Sequence, residues 1–218
     1  MFERMPRPTL RDPERGDART RLLEAARDLI RRKGFAETSV DDLCREAGVT
    51  KGAFFHHFRT KDALGVAAAE FWAETTGALF EAAPYHELDD ALDRVLAYLT
   101  FRRELIAGET HAFTCLVGTM AQEVHDTSPA IRDACAASIL GHAATLEADI
   151  AAAMKAHGVE DGDWTPASLA RHTQAVLQGA FILAKASGDA ELARESVDHL
   201  HRYVALLFGR TLAHDDPM

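Results

Sequence analysis

The chain has 218 residues, of which 47% are hydrophobic and 27% charged, and its net charge is −10 at neutral pH. That length allows a substantial core in one large or two small domains, and no apolar run approaches the ~18–20 residues of a membrane helix. The first residues carry no apolar signal core. The three cysteines, Cys44, Cys115 and Cys135, lack metal-ligand spacing, so a reduced, cytoplasmic setting is expected.

A net acidic chain argues at first against a nucleic-acid partner, but the charge is unevenly spread. Residues 1–60 hold 13 Lys/Arg against 10 Asp/Glu, and residues 61–218 hold 11 against 24. A basic head on an acidic body suits a protein that meets phosphates at one end only. Residues 1–16 show no period and are expected to form a disordered arm, with Arg4, Arg7, Arg11 and Arg15 available to a minor groove. From about Asp17 to Lys33 the apolar residues Leu22, Ala25, Ala26, Leu29 and Ile30 recur at helical spacing.

The densest signal runs from Thr38 to Lys61, TSVDDLCREAGVTKGAFFHHFRTK. Ser39 is placed to cap a helix with Asp41 and Asp42 in its first turn. Val40, Leu43, Cys44 and Ala47 share one face, and Gly48 stops the helix where a left-handed backbone is cheapest. Thr50 is placed to cap a second short helix in which Phe54 and Phe58 recur four apart, and Thr60 is placed to cap the next. This is a helix-turn-helix pattern with a physical reason at each joint. Its outward face carries Thr38, Lys51, His56, His57, Arg59 and Lys61.

Beyond Lys61 six further helices are expected and no strands: about 62–83, 87–107, 112–125, 129–157, 165–186 and 190–210. Ser128-Pro129 and Thr165-Pro166 each pair a cap with a proline at the first helical position. The chain thus divides into a helix-turn-helix head over 17–61, a helical body over 62–210, to which the resemblance below assigns ligand binding and dimerisation, and a tail over 211–218.

The stretch Gly34-Phe35, Thr38-Ser39 and AGVTKGAFFHHFRTKDAL, within residues 19–64, resembles the N-terminal domain of TetR-family (tetracycline-repressor-like) transcriptional regulators. The resemblance implies an all-α, nine-helix TetR-like fold that reads double-stranded DNA at a palindromic operator. It also implies a homodimer through a four-helix bundle of the last two helices, and a small-molecule effector held in the body. Carried over by position, Thr50, Lys51, Gly52, Ala53, Phe55 and His56 would face bases in the major groove, and Thr38, Ser39, His57 and Lys61 would hold phosphates. Where the family usually has Tyr, this chain has Phe55, so a hydroxyl contact is absent. Lys51 suits guanine O6/N7, and Ala53 or Phe55 a thymine methyl.

Stripes at Leu169, Thr173, Val176, Leu177, Ala180, Phe181 and Ala184, and at Val197, Leu200, Val204, Leu207 and Phe208, are wide enough to form that bundle or to pack inside one chain. Candidate effector contacts are Phe71, Trp72, Leu99, Phe113, Leu116, Met120, Ile139, His142, His172, Gln178 and Phe181, an aromatic-rich set that favours an apolar ligand. Cys115 and Lys185 would sit on adjoining helices, an ammonium beside a thiol as in a redox or electrophile sensor. Cys135 lies on an apolar stripe. No metal site, cofactor motif, nucleophile elbow or phosphate loop appears, so an enzyme is not expected. A non-inducible DNA-binding structural or cell-cycle factor on the same fold is the alternative.

Overall fold

The structure, a computed structural model, describes residues 17–159 and 162–210, and among them every regular element is helical. The expected arm at 1–16 and tail at 211–218 lie outside the described residues. The head consists of α1 (Ala18–Lys33), α2 (Val40–Ala47) and α3 (Lys51–His57), and α4 (Lys61–Glu81) leads out of it. A 3-10 turn (Pro84–Glu87) precedes α5 (Ala91–Glu104), α6 (Thr110–Phe113), α7 (Leu116–Val124), α8 (Pro129–Thr145), α9 (Glu147–His157), α10 (Pro166–Ser187) and α11 (Glu191–Leu207).

Each head helix starts on a side-chain oxygen. Asp17 accepts from the Thr20 N–H at 2.8 Å, Thr50 from Ala53 at 3.2 Å and Thr60 from Ala63 at 3.0 Å. Ser39 and Asp42 form a reciprocal capping box on α2. Gly48 ends α2 with φ 62°, the left-handed conformation that an L side chain resists.

The two expected helices at 112–125 and 129–157 are each divided. Thr114 is extended, so the chain forms one turn of α6 and restarts at α7 with Cys115 as the capping residue. At the second break, the Thr145 hydroxyl donates to the His142 carbonyl at 2.8 Å, and the Leu146 N–H turns to Ala143 at 3.0 Å. That tighter bond ends α8 and restarts the chain as α9.

The apolar interior falls into two clusters. One holds Leu22, Leu23 and Ile30 of α1, Leu43 of α2, Phe54 and Phe58, and Leu64 and Ala68 of α4, together with Leu116, Val117 and Met120 of α7 and Ile131 and Cys135 of α8. The head therefore completes its core with helices of the body. The second cluster holds Phe80, Leu92, Leu96, Tyr98, Leu99, Ile150, Leu177, Phe181, Val197, Leu200 and Val204.

Of the two readings open for the stripes of the last two helices, packing inside one chain holds for most of their residues. Leu169, Thr173, Leu177, Ala180, Phe181 and Ala184 of α10, and Val197, Leu200, Val204 and Phe208, are buried within this chain. The outward apolar face of the same helices is Ile182, Leu183, Leu192, Tyr203 and Leu206 instead. A helix has several faces, and periodicity marks an apolar one without saying which neighbour covers it.

Gly65 marks the closest approach between α4, the head and α8. A Cβ there would lie 2.8 Å from Ile131 Cδ1 and 2.9 Å from Phe35 Cε2. Gly65→Ala should therefore lower stability by about 1–3 kcal/mol, as overpacking does, read from urea unfolding. An unchanged midpoint would mean that this junction yields without strain.

Candidate nucleic-acid interface and ligand cavity

The head presents α3 outward. Phe54 is fully buried and Phe58 nearly so, which orients the helix and leaves Lys51, Gly52, Phe55, His56 and His57 exposed, with Ala53 half-buried. Phe55 is 54% exposed, a large apolar ring held against water. Lys51 Nζ lies 2.7 Å from Asp41, and both side chains are exposed. That pair is weak in water, so a phosphate or base acceptor can replace Asp41.

Two residues expected at phosphates are turned inward. Thr38 is 1% exposed and its hydroxyl donates to the Gly34 carbonyl at 2.6 Å. Lys61 donates to the carbonyls of Phe35 (2.9 Å), Ala36 (3.2 Å) and Thr38 (3.1 Å), and its ammonium sits 4.5 Å from the Phe35 ring centre. Lys61 thus ties the turn after α1 to the start of α4. Motif position gives where a residue stands, not which carbonyls its side chain reaches. Ser39 is exposed but serves as the cap of α2. Asp42, held by Lys33, Ser39 and Arg45, has its carboxyl well below the usual carboxylate range.

A cavity of about 170 Å³ lies between α4, α5, α8 and α10, closed on one side by the α6–α7 segment. Of the residues named from the sequence as candidate effector contacts, Trp72, Phe113, Ile139, His142, Gln178 and Phe181 line it. The other expected residues do not. Phe71, Leu116 and Met120 belong to the head-side core, Leu99 to the body core, and His172 is exposed and edge-on to Tyr203. Because α7 restarts at Leu116, Leu116 and Met120 turn towards the head, while Val117 lies at the cavity wall.

Residues missed in the sequence give the cavity a polar wall: Arg102, Ser138, Gln174 and Thr76. Behind it, the Tyr98 hydroxyl is 3.0 Å from His142 Nε2 and accepts from Gln174 Nε2 at 3.3 Å. Burial, helped by Arg102, pushes the His142 imidazole down to about 4, and burial pushes the Tyr98 phenol up. This lining is more polar than the aromatic-rich set suggested. The helical pattern gives no sign of which polar residues turn inward.

Cys115 also lines the cavity, half-buried, its Sγ accepting from the Gly118 N–H at 3.4 Å. Lys185 Nζ donates at 2.6 Å to Thr119 Oγ1, and that hydroxyl donates to the Cys115 carbonyl at 3.0 Å. Thr119 therefore links Lys185 to the backbone of Cys115 at the first turn of α7. Partial desolvation lowers the Lys185 ammonium from its ordinary value. Cys135 is buried, and burial pushes its thiol up to about 12. Among the described residues no three His, Cys, Asp or Glu side chains are grouped to hold a metal ion. No helix there is long and apolar enough to cross a membrane.

Residues 22–68 match the family model for bacterial regulatory proteins of the tetR family, and residues 91–200 match the tetracyclin repressor-like C-terminal domain. The chain belongs to the TetR family. It is a DNA-binding transcriptional regulator with the helix-turn-helix at its head. It is 29% identical to the transcriptional regulator AcuR of Cereibacter sphaeroides, over 79% of this chain and 78% of that one. It is likewise 29% identical to the HTH-type transcriptional repressor NemR of Escherichia coli, over 87% and 94%. The reduced form of E. coli NemR superposes with a TM-score of 0.69 at 28% identity, covering 84% of this chain and 95% of that one. A cysteine mutant of the TetR-family regulator CifR, solved with 26bp double-strand operator DNA, superposes with a TM-score of 0.71 at 21% identity, over 90% and 98%. That last likeness is one of fold. Regulators of this family bind operator DNA and act as dimers.

His142 sets a pH dependence for this TetR-family chain. Its imidazole titrates near 4 when folded and near 6.5 when unfolded, so the native state is favoured fully above about pH 6.5. As pH falls from there towards 4, the unfolded chain takes up the extra proton and stability is lost, by about 2 kcal/mol at about pH 5. Urea unfolding near pH 7 and pH 5 should show that loss. It should shrink in His142→Asn, and an equal loss in the variant would assign the slope to other groups.

Proposed function

We propose that this regulator is a repressor that binds a palindromic operator as a homodimer and leaves it when a small molecule fills the body cavity. The observation that carries this reading is the shared use of α7 and α1 by cavity and head. Cys115, at the start of α7, lines the cavity, and Glu123, near its end, accepts from the Ala36 N–H of the head at 2.9 Å. Arg31 of α1 donates to the Ala112 carbonyl at 2.8 Å and lies over Trp72 at 5.3 Å, and both partners line the cavity. A ligand that fits only one arrangement of these contacts shifts the head's orientation by its differential affinity for that state. A cavity of this kind favours an effector-controlled regulator over a non-inducible factor on the same fold. The relatives are regulators rather than enzymes, and we assign this chain no catalytic role and a cytoplasmic place beside the DNA.

In this reading Lys51 donates to a guanine edge and Phe55 or Ala53 touches a thymine methyl, with Thr50, Gly52 and His56 on the same face and His57 and Ser39 towards phosphates. Thr38 and Lys61 act by shaping the turn that carries α2 and α3. The outward face of α10 and α11, centred on Leu206 at 70% exposure, joins the two chains, and two heads then read two half-sites. Leu206→Asp should yield a monomer in sedimentation and lose operator binding, whereas Lys51→Ala should stay dimeric and bind roughly 10-fold more weakly. A dimeric, operator-binding Leu206→Asp would remove this interface from the account.

A second input is favoured by one observation, the thiol of Cys115 in the cavity wall with Lys185 one turn away. An oxidant or electrophile that enters would meet this pair. Cys115→Ser should abolish the response of operator binding to a thiol-reactive electrophile such as N-ethylmaleimide. An unchanged response would leave Cys115 with its capping role alone.

A further inference from the structure

We propose that the cavity takes a small organic monocarboxylate, with Arg102 as its counter-ion. This rests on the reading of the cavity as the effector site and adds the chemistry of what enters it.

Three half-buried arginines of the body show the contrast. Arg94 pairs with Asp149 at 2.8 Å, Arg103 with Asp198 at 2.7 Å and Arg194 with Glu191 at 2.8 Å. Arg102, one residue before Arg103 and therefore about 100° round the helix, points into the cavity. Among the described residues it has no carboxylate within ion-pair distance. Its guanidinium lies over the rings of Phe80 and Phe181, at 5.1 and 5.9 Å. The other polar groups of the wall, Thr76, Ser138, Gln174 and Gln178, are uncharged, His142 is held neutral near pH 7 by its burial, and no Asp or Glu lines the cavity. The result is one cation, partly withdrawn from water, facing apolar surface.

A partly desolvated cation without an anion is the costly half of an ion pair. A ligand carboxylate can complete it, because the planar guanidinium fork matches two carboxylate oxygens at once. A single cation calls for a single negative charge, since a dianion would bring excess charge into the same space. The volume of about 170 Å³ is below the usual range for drug-sized ligands. A compact ligand therefore suits it better than a drug-sized one. Phe80, Phe113, Phe181 and Trp72 provide flat apolar walls for the remainder of such a molecule.

The experiment is calorimetric titration of the full chain with benzoate and with benzamide, its neutral counterpart of nearly the same shape. Wild type, Arg102→Met and Arg102→Lys are compared, with circular dichroism to check folding. Benzoate should bind saturably, and benzamide roughly 10- to 100-fold more weakly, the range for a hydrogen bond to a charged group. Arg102→Met should bind both alike, and Arg102→Lys should recover part of the preference. Equal binding of acid and amide by wild type, a preference that survives in Arg102→Met, or no saturable binding of either would overturn the proposal. Operator anisotropy in the same titrations separates the two readings. Arg102-dependent benzoate binding with the operator still held would keep the ligand chemistry and remove ligand release. Release by benzamide as readily as by benzoate would keep release and remove the role of Arg102.

Discussion

The fold depends on a core that head and body share. Three short helices of roughly 45 residues cannot bury enough apolar surface to be firmly stable by themselves. Here Leu22, Leu43 and Phe54 of the head close against Leu116, Met120 and Ile131 of the body. The same α7 also sends Cys115 and Val117 to the cavity wall, so the core that positions α3 adjoins one flank of the cavity. Packed interiors resist continuous deformation, and the proposed release by a ligand rests on that flank moving with the head as one packed unit.

Polar contacts fix the geometry of this junction. Lys61 gathers three carbonyls at the turn after α1, Glu123 receives the Ala36 N–H, and Arg31 reaches the Ala112 carbonyl. Each bond satisfies backbone that would otherwise be exposed at a helix end or loop. Gly34 belongs to the same arrangement. Its φ is 91°, and a Cβ there would stand 2.3 Å from Glu123 Oε1. The acidic body adds a long-range term that disfavours its own approach to DNA and leaves the basic head as the contacting end.

Much of the head was legible in the sequence because its signals are local. Ser39, Thr50, Thr60 and Gly48 cap or stop helices within a few residues of themselves, and Phe54 and Phe58 face inward as their spacing requires. Side-chain orientation at long range was not legible. Thr38 and Lys61 occupy family positions for phosphate contacts, yet their polar atoms reach carbonyls of Gly34, Phe35, Ala36 and Thr38. The body was legible as helices and less so as a site. Six of the eleven expected effector contacts line the cavity, whereas the restart of the chain at Cys115 carries Leu116 and Met120 towards the head. Arg102 and Arg103 are neighbours of one type, and only the three-dimensional course of α5 separates a cation facing the cavity from one paired with Asp198 of α11.

The most direct test of the shared core is native-state hydrogen exchange of the full chain at increasing urea. If head and body are one cooperative unit, the amides of Leu22–Ile30 and those of Met120 and Cys135 will open with the same free energy and converge on one global unfolding line. Head amides that open at distinctly lower free energy, while those of α7 and α8 stay protected, would contradict it.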